Sequence, residues 1–328
     1  MEIPFLEFKP LIKNSHYQTF LASAIDFELG PPSETKHIKL SDGDTLALEV
    51  STPKQWKKTD PSVFMVHGLC GSHKSHYMKR IAKKLYKKGI KAIRINLKGC
   101  GSGRGLARGI YHSGSSEDVF EVIEAIHKEY PLSPTILMGV SLGANISLKL
   151  GGELGEKTNR YLTGIIAISP PADLFASARL FTLPENQFYA RYFLKLLLSE
   201  IDFRHKHFDL PDPKLPNNIT LHEFDELYTA QQAKYANAFE YYYYASSKRV
   251  IPQITVPTKI LFANDDPIIK ANALDDLELP SNITVYKTEH GGHLGFMGWN
   301  VFKEFRWMDN VALQWTQQLL SGNSKHTS

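Results

Sequence analysis

The sequence predicts an α/β fold, with a mostly parallel, doubly wound sheet and an inserted helical cap. Three observations lead to this prediction. Short apolar runs of strand length alternate with amphipathic helical patterns, a hairpin pattern precedes them, and a long segment without strand pattern interrupts them late in the chain. The 328 residues are 42% hydrophobic and 11% aromatic, which suffices for one large core.

The predicted elements follow one another regularly through the first half of the chain. Residues 37–51 alternate apolar and polar side chains around Asp42-Gly43, which is typical of a β-hairpin. Helical periodicity covers residues 75–89 and 115–130. Six apolar runs predict buried strands at residues 62–68, 91–99, 135–141, 164–171, 257–265 and 283–293. Buried strands joined by helices predict a sheet covered on both faces.

The alternation stops for about 85 residues, between 172 and 256, where the sequence reads as helices around a proline-rich spacer. An insertion of this length predicts a cap over the carboxyl edge of the sheet, where α/β folds place their sites. We therefore divide the chain into an α/β core of residues 1–171 and 257–320, a helical cap of residues 172–256, and a disordered polar tail of residues 321–328.

Composition and charge narrow the function and the location. A formal net charge of +4, from 38 basic and 34 acidic residues, does not indicate a nucleic-acid-binding protein. Cys70 and Cys100 provide no disulfide framework, which favours a reducing compartment. The N-terminus lacks the apolar core of a signal peptide, and no window offers 18 apolar residues. We expect a cytoplasmic protein without a transmembrane segment, at most in weak contact with a membrane surface through the basic residues 83–91.

The sequence "GVSLG", residues 139–143, matches the G-x-S-x-G pattern between a predicted strand and a predicted helix. A serine on this sharp turn is strained, and flanking glycines let the two elements approach closely. The turn also places Ser141 at a helix N-terminus, which favours developing negative charge. Ser141 is therefore a candidate nucleophile, although a serine that only caps the helix explains the pentapeptide equally well.

The residues that would activate this serine follow in the expected chain order. A serine nucleophile needs a histidine base and a carboxylate that orients it. "KILFANDDPI" supplies Asp265 and Asp266 after one strand, and "YKTEHGGHLGF" supplies His290 and His293 after the next. The aspartates could instead form a turn before proline, and the histidines could be solvated or form a metal pair, although no further ligands are visible.

Attack of a serine on a carbonyl group forms a tetrahedral intermediate, and backbone N–H donors are needed to stabilise its oxyanion. Leu142 follows the candidate nucleophile, and Leu69 follows His67-Gly68 at the end of an earlier strand, so we predict that their N–H groups form the oxyanion hole. A metal site formed by His67, Cys70, His73 and His76 is the weaker alternative. The glycine-rich residues 96–109 fit neither a dinucleotide-binding nor a P-loop pattern, so we predict no metal and no cofactor.

With these residues placed, the chain resembles the YheT-like subfamily of α/β-hydrolases, the AB hydrolase 4 group of esterases. Nine segments in the right order carry the resemblance: "NSHYQTF", "VHGLCGS", "NLKGCGSG", "IYHSG", "GVSLGAN", "HEFDELYTA", "YYYYAS", "VPTKILFANDDP" and "EHGGHLGF". The resemblance implies that Ser141 is the nucleophile, His293 the base and an aspartate of the DDP motif the acid. Related hydrolases show the acid, one residue and then an apolar pair, so Asp266 is chosen and Asp265 is the fallback.

The resemblance also implies the activity, which is hydrolysis of carboxylic esters, with lipid-like esters among the family's substrates. We expect Phe181, Phe188, Tyr192 and residues 241–244 to line or cover an acyl pocket, or to form the core of the cap. A non-catalytic binding module and an acyltransferase with the same triad stay open as alternatives. The oligomeric state and the role of the motif Ile110 to Gly114 do not follow from the sequence.

Overall fold

The structure is a computed structural model that describes residues 7–24, 28–299 and 305–322. The strands are β1 (Lys9–Pro10), β2 (Glu34–Lys39), β3 (Thr45–Ser51), β4 (Ser62–Val66), β5 (Lys91–Asn96), β6 (Thr135–Val140), β7 (Gly164–Ile168), β8 (Thr258–Ala263), β9 (Ile283–Thr288) and β10 (Gly298–Trp299). The main sheet has the order β2-β3-β5-β4-β6-β7-β8-β9. Within it β3 pairs antiparallel with both of its neighbours, β2 and β5, and the six strands β4 to β9 are parallel to one another.

Ten α-helices accompany the strands in the described part of the chain. They are α1 (Ser15–Ala24), α2 (His76–Lys87), α3 (Ser116–Glu129), α4 (Leu142–Leu154), α5 (Leu174–Thr182), α6 (Gln187–His207), α7 (Leu221–Phe224), α8 (Ala230–Gln232), α9 (Ala238–Ala245) and α10 (Trp307–Gly322). A π-helical turn, Asp225–Thr229, joins α7 to α8. The predicted hairpin, the six predicted strands and both predicted helices are present, which confirms the α/β-hydrolase fold class.

The central strands are apolar along their whole length because both faces of the sheet are covered. Phe64 of β4 and Leu137 of β6 belong to the core on one face, which includes side chains of α3 and α4. Met65 and Met138 belong to the core on the other face, together with side chains of α2 and α10. This double burial explains why the strands lack the alternation of a half-exposed sheet.

The strand register brings the predicted site loops to one edge of the sheet. Val66 pairs with Gly139, so the loop after β4 lies beside the turn after β6. Ala263 pairs with Thr288, so the loops after β8 and β9 are also neighbours. Parallel strands place their carboxyl ends at the same edge, and four loops meet there as a result.

Residues 172–256 lie between β7 and β8. All of them are described, and none belongs to a strand. They contain two small apolar clusters of their own, one around Tyr241 and Tyr242 and one around Phe224 and Tyr228. At the other end of the chain, residues 321 and 322 complete α10, whereas the rest of the predicted tail, residues 323–328, lies outside the described residues.

The structure contains two features near the chain ends that the sequence patterns do not predict. Helix α1 follows the N-terminal segment, and β1 pairs with β10 in a separate two-stranded sheet. Each of these strands has only two residues, which is too short for a periodic pattern, and their pairing depends on residues almost 300 positions apart. The pairing brings the N-terminal segment beside the C-terminal part of the core.

Candidate active site

Ser141 lies on a sharp turn between β6 and α4, with φ 53° and ψ −124°. Gly139 and Gly143, two residues before and after it, have no room for a Cβ atom, and this lack of space rather than their φ angles explains why both are glycine. A Cβ on Gly139 would lie 2.1 Å from the carbonyl oxygen of Gly143, and a Cβ on Gly143 would lie 2.3 Å from that of Val66. Ser141 occupies the N-cap position of α4, but its side chain makes no capping hydrogen bond. The hydroxyl group is thus available for a different partner.

That partner is His293, and a chain of hydrogen bonds continues from it. The Oγ atom of Ser141 lies 3.0 Å from Nε2 of His293, and Nδ1 of His293 lies 2.9 Å from Oδ2 of Asp266. The backbone N–H groups of Ile268 and Ile269 both donate to Oδ1 of Asp266, at 3.0 Å each. The Asp266 side chain is 2% exposed and that of His293 is 8% exposed. The sequence-predicted serine, histidine and aspartate are therefore in contact in a nearly dry site.

Asp265, the neighbouring aspartate, has different partners. Its Oδ1 atom accepts the backbone N–H of Gly292 at 2.9 Å, and its Oδ2 atom lies 3.3 Å from Nδ1 of His290. Both contacts are to the loop after β9, which carries His293. Asp265 is thus placed to hold this loop, and Asp266 is the aspartate whose carboxylate reaches the ring of His293.

Helix α1 supports the same loop from the other side, which the sequence analysis did not anticipate. The backbone N–H of His293 donates to Oγ1 of Thr19 at 2.9 Å, and the Thr19 hydroxyl donates to the carbonyl of Ser15 at 2.8 Å. A Cβ on Gly292 would lie 2.4 Å from that Ser15 carbonyl oxygen. This close approach explains the glycine before His293, and it accounts for part of the N-terminal "NSHYQTF" segment.

Gln18 attaches α1 to the C-terminal part of the same loop region. Its fully buried side chain donates to the carbonyl groups of Ile12 and Met297, at 2.7 and 3.0 Å, and accepts the N–H of Met297 at 2.7 Å. A buried amide with three hydrogen bonds is costly to disturb. The position of the histidine loop therefore depends on the N-terminal helix.

Leu69 and Leu142, the predicted oxyanion donors, both line the same cavity as Ser141. Leu69 lies on the loop between β4 and α2, and Leu142 directly follows Ser141. Leu142 is the first residue of α4, so its N–H has no partner within that helix. A Cβ on Gly68 would lie 3.1 Å from the Cβ atom of Ser141, which shows how closely the Leu69 loop approaches the serine.

Two partly buried tyrosines hold the loop that carries Leu69. Tyr77 accepts the N–H of Gly68 at 2.9 Å, and Tyr111 accepts the N–H of Cys70 at 2.8 Å. Burial raises the pKa of both phenols, which keeps them neutral. Burial also raises the pKa of the Cys70 thiol to about 12, so this sulfur is not a thiolate at neutral pH.

His67 has a structural role beneath the same loop. Its Nδ1 atom donates to the carbonyl of Gly68 at 2.8 Å, and its Nε2 atom accepts the N–H of Leu97 at 3.2 Å. Burial lowers its pKa to about 4, so the ring is neutral. Nδ1 of His73 is likewise within 2.9 Å of Asn96. Among the described residues, no three His, Cys, Asp or Glu side chains are grouped so that they could hold a metal ion.

The motif Ile110 to Gly114, whose role the sequence left open, connects α4 to the inserted segment. The N–H of Ser113 donates to Oη of Tyr241 at 3.1 Å, and the Tyr241 hydroxyl donates to Oγ of Ser113 at 3.0 Å. Asn145, one turn after Ser141, donates to the carbonyl groups of Ser113 and Ala245 at 2.8 Å each. The helix that begins at Ser141 is thus tied to both segments.

A cavity of about 1160 Å³ extends from Ser141 between the core and residues 172–256. Much of its lining is apolar and comes from α5 and α6, namely Leu174, Phe181, Phe193, Leu194, Leu197 and Leu198. Of the aromatic residues expected to line or cover a pocket, Phe181, Tyr241 and Tyr242 do line it. Phe188, Tyr192, Tyr243 and Tyr244 do not line it and are largely exposed.

The cavity wall also contains a partly buried carboxyl group that sequence reasoning missed. Oδ2 of Asp225 accepts the hydroxyl of Tyr242 at 2.8 Å, and both residues line the cavity. Burial raises the pKa of Asp225 to about 6. Asp225 belongs to the segment "HEFDELYTA", which the sequence analysis used only for the resemblance.

Comparison with known proteins places this arrangement in a family. Residues 61–298 match the sequence model for the alpha/beta hydrolase fold. The YheT protein of Escherichia coli is 29% identical, over 97% of this chain and 95% of its own length. Human phospholipase ABHD3 is 25% identical, over 88% of this chain and 73% of its own. A Saccharomyces cerevisiae monoacylglycerol lipase is 30% identical, over 72% of this chain and 55% of its own.

Solved structures agree in fold. The Pyrococcus furiosus esterase Pf2001 superimposes with a TM-score of 0.56 at 15% identity, covering 95% of this chain and 99% of that one. In the described ranges, every helix is too short or too polar to cross a membrane.

Proposed function

The chain belongs to the α/β-hydrolase family, in its YheT-like group, and we propose that it is a serine hydrolase that cleaves carboxylic esters. The observation that carries the proposal is the hydrogen-bonded series from Ser141 through His293 to Asp266, with separations of 3.0 and 2.9 Å. The names of the relatives, which include a phospholipase and a monoacylglycerol lipase, support an ester as the substrate.

In the first half of the proposed reaction, Ser141 attacks the ester carbonyl carbon while His293 takes the proton of its hydroxyl group. The N–H groups of Leu69 and Leu142 hold the oxyanion of the tetrahedral intermediate. His293 then donates the proton to the leaving alcohol, and an acyl-serine remains. In the second half, His293 takes a proton from water as the water oxygen attacks the acyl carbon. The bond between that carbon and Oγ of Ser141 then breaks, His293 returns the proton to Oγ, and the acid is released.

Asp266 orients the base and stabilises its positive charge during both halves. The backbone N–H groups of Ile268 and Ile269 donate to Oδ1 of this carboxylate and hold it in place. Oδ2 of Asp266 accepts a hydrogen bond from the Nδ1–H of His293, which leaves Nε2 free to accept the hydroxyl proton of Ser141. The dipole of α4, which begins beside Ser141, adds to the stabilisation of the oxyanion.

The size and lining of the cavity support the proposal that it holds an apolar acyl group of the substrate. Its volume of about 1160 Å³ slightly exceeds the usual range for drug-sized ligands, up to about 1000 Å³. Leucine and phenylalanine side chains form much of its wall. We therefore propose lipid-like esters, or esters of short to medium acyl chains, as the substrate class.

Acyl transfer to an alcohol is a second candidate, because the same acyl-serine could react with an alcohol in place of water. A Saccharomyces cerevisiae relative, 24% identical over 72% of this chain, is named a medium-chain fatty acid ethyl ester synthase/esterase. Measuring the partition between acid and ethyl ester with added ethanol separates the two activities.

Active-site labelling and an ester panel test the proposal. The parent protein should react with a fluorophosphonate probe and hydrolyse p-nitrophenyl esters of increasing chain length. Ser141→Ala should abolish labelling and lower kcat by at least about 10⁴-fold, because the nucleophile is lost. Ser199→Ala, at an exposed position of α6, is the matched control and should behave like the parent. Equal labelling of Ser141→Ala and the parent would exclude this mechanism.

A further inference from the structure

An exposed aromatic surface lies where α1 meets the start of α6. Tyr17 and Phe20 of α1 are 62% and 38% exposed, and Phe188 and Tyr192 of α6 are 58% and 53% exposed. The rings of Phe20 and Phe188 are in edge contact, with centroids 5.0 Å apart. Single exposed apolar side chains are ordinary, but a contiguous group of large ones marks an interaction surface.

Two basic side chains extend this surface along α6. Phe188, Arg191, Tyr192 and Lys195 are spaced by three and four residues and therefore lie on one face of the helix. Arg191 and Lys195 are exposed, and neither forms an ion pair with any residue that the structure describes. We call these four residues, with Tyr17 and Phe20, the mouth surface.

The mouth surface adjoins the entrance of the large cavity. Arg191 and Lys195 line the cavity that contains Ser141, and both are also exposed to solvent. They therefore lie on its rim, with Phe188 and Tyr192 next to them on the outer face of α6. Phe188 and Tyr192 therefore border the part of the cavity wall that is exposed to solvent at Arg191 and Lys195.

We propose that the mouth surface docks on an anionic lipid bilayer, with the cavity opening towards the lipid. Aromatic side chains with a polar edge partition into the headgroup region, and unpaired cations are attracted to anionic headgroups. Charge complementarity selects this occupant over a second copy of the chain, which would bring Arg191 and Lys195 of the two copies close together. The docking depends on these side chains and not on the reaction at Ser141.

Vesicle flotation tests the docking separately from catalysis. Ser141→Ala protein serves as the parent, so that lipid is not consumed, and it is mixed with phosphatidylcholine vesicles with or without phosphatidylglycerol. The parent should float with the anionic vesicles. Adding Phe188→Ser and Tyr192→Ser should weaken binding about tenfold or more, since two large side chains leave the lipid.

Two further variants distinguish the effect of the two positive charges from the effect of substituting any exposed side chain. Arg191→Gln with Lys195→Gln should weaken binding to the anionic vesicles about fivefold or more per charge and abolish the preference over phosphatidylcholine. Leu132→Ser, at a 73% exposed position before β6, should bind like the parent. Because all of these side chains are exposed, thermal unfolding should be unchanged, which excludes misfolding as the cause of lost binding.

Failure of the parent to float with anionic vesicles would overturn the proposal, as would equal flotation of the Phe188→Ser, Tyr192→Ser variant. A dimer that this variant dissociates in sedimentation velocity, without vesicle binding by the parent, would assign the surface to a second copy instead. In protein that retains Ser141, Phe188→Ser with Tyr192→Ser should leave the rate of hydrolysis of short soluble esters unchanged and should slow only the hydrolysis of esters embedded in vesicles. If the unsubstituted protein hydrolysed no ester at all, this result would contradict the proposed function but not the docking.

Discussion

Asp265 and Asp266 are adjacent, chemically identical residues whose environments differ. The Asp266 carboxylate reaches the ring of His293, whereas Asp265 contacts Gly292 and His290 of the same loop. The sequence restricts the candidates for the acid to these two aspartates, because both follow a late strand. The choice between them depends on which carboxylate the turn after β8 directs at a loop 27 residues later in the chain.

Substitution of each aspartate in turn tests this difference. Asp266→Asn should lower kcat for a short soluble ester by about 10³ to 10⁴-fold, because the tautomer and charge of His293 are no longer supported. Asp265→Asn retains an oxygen that accepts the Gly292 N–H and should cost less than about tenfold. Steady-state kinetics of both variants provides the measurement. The opposite ranking would make Asp265 the acid.

At the scale of elements, the histidine loop is held between α1 and the turn that carries Asp265. Thr19 accepts the backbone N–H of His293, and Gln18 makes three buried hydrogen bonds beside it. The sequence patterns identified neither residue, because α1 is short and its contacts are to residues more than 270 positions away. The "NSHYQTF" segment was visible only as part of a resemblance.

Thr19→Val tests whether α1 positions the proposed base. The substitution preserves the shape of the side chain but removes the acceptor of the His293 N–H. We expect kcat to fall about tenfold or more with KM nearly unchanged, since small displacements of a catalytic group are costly. Thr19→Ser should restore kcat, and Thr284→Val, at an exposed position of β9, is the control. An unchanged kcat in Thr19→Val would leave α1 with a structural role only.

At the scale of the whole molecule, the core and residues 172–256 form one cavity, and the cavity wall contains Asp225. The pKa of this carboxyl, about 6, is raised by burial above its usual value of about 3.9 in an unfolded chain. Between these values the folded protein retains a proton that the unfolded chain has lost. The contribution to stability is therefore complete below about pH 4 and is lost as the pH rises through about 6.

Asp225→Asn should remove this pH-dependent loss. We expect the free energy of unfolding of the variant, relative to the parent, to increase by about 2 kcal/mol between about pH 4 and pH 7. Urea unfolding at the two pH values measures the difference, and Asp212→Asn, at an exposed position, is the control. A relative stability that does not change with pH would mean that folding does not raise the pKa of Asp225.

The sheet, the turn at Ser141 and the chain order of the proposed catalytic residues can all be predicted from the sequence. These features depend on local periodicity and on steric limits at a few glycines, which a linear sequence records. The folded structure is needed to show which aspartate contacts His293, which residues support the histidine loop, and where the aromatic side chains of α6 lie. Each of these depends on contacts between residues 27 to 279 positions apart, or on the orientation of a helix that periodicity leaves undetermined.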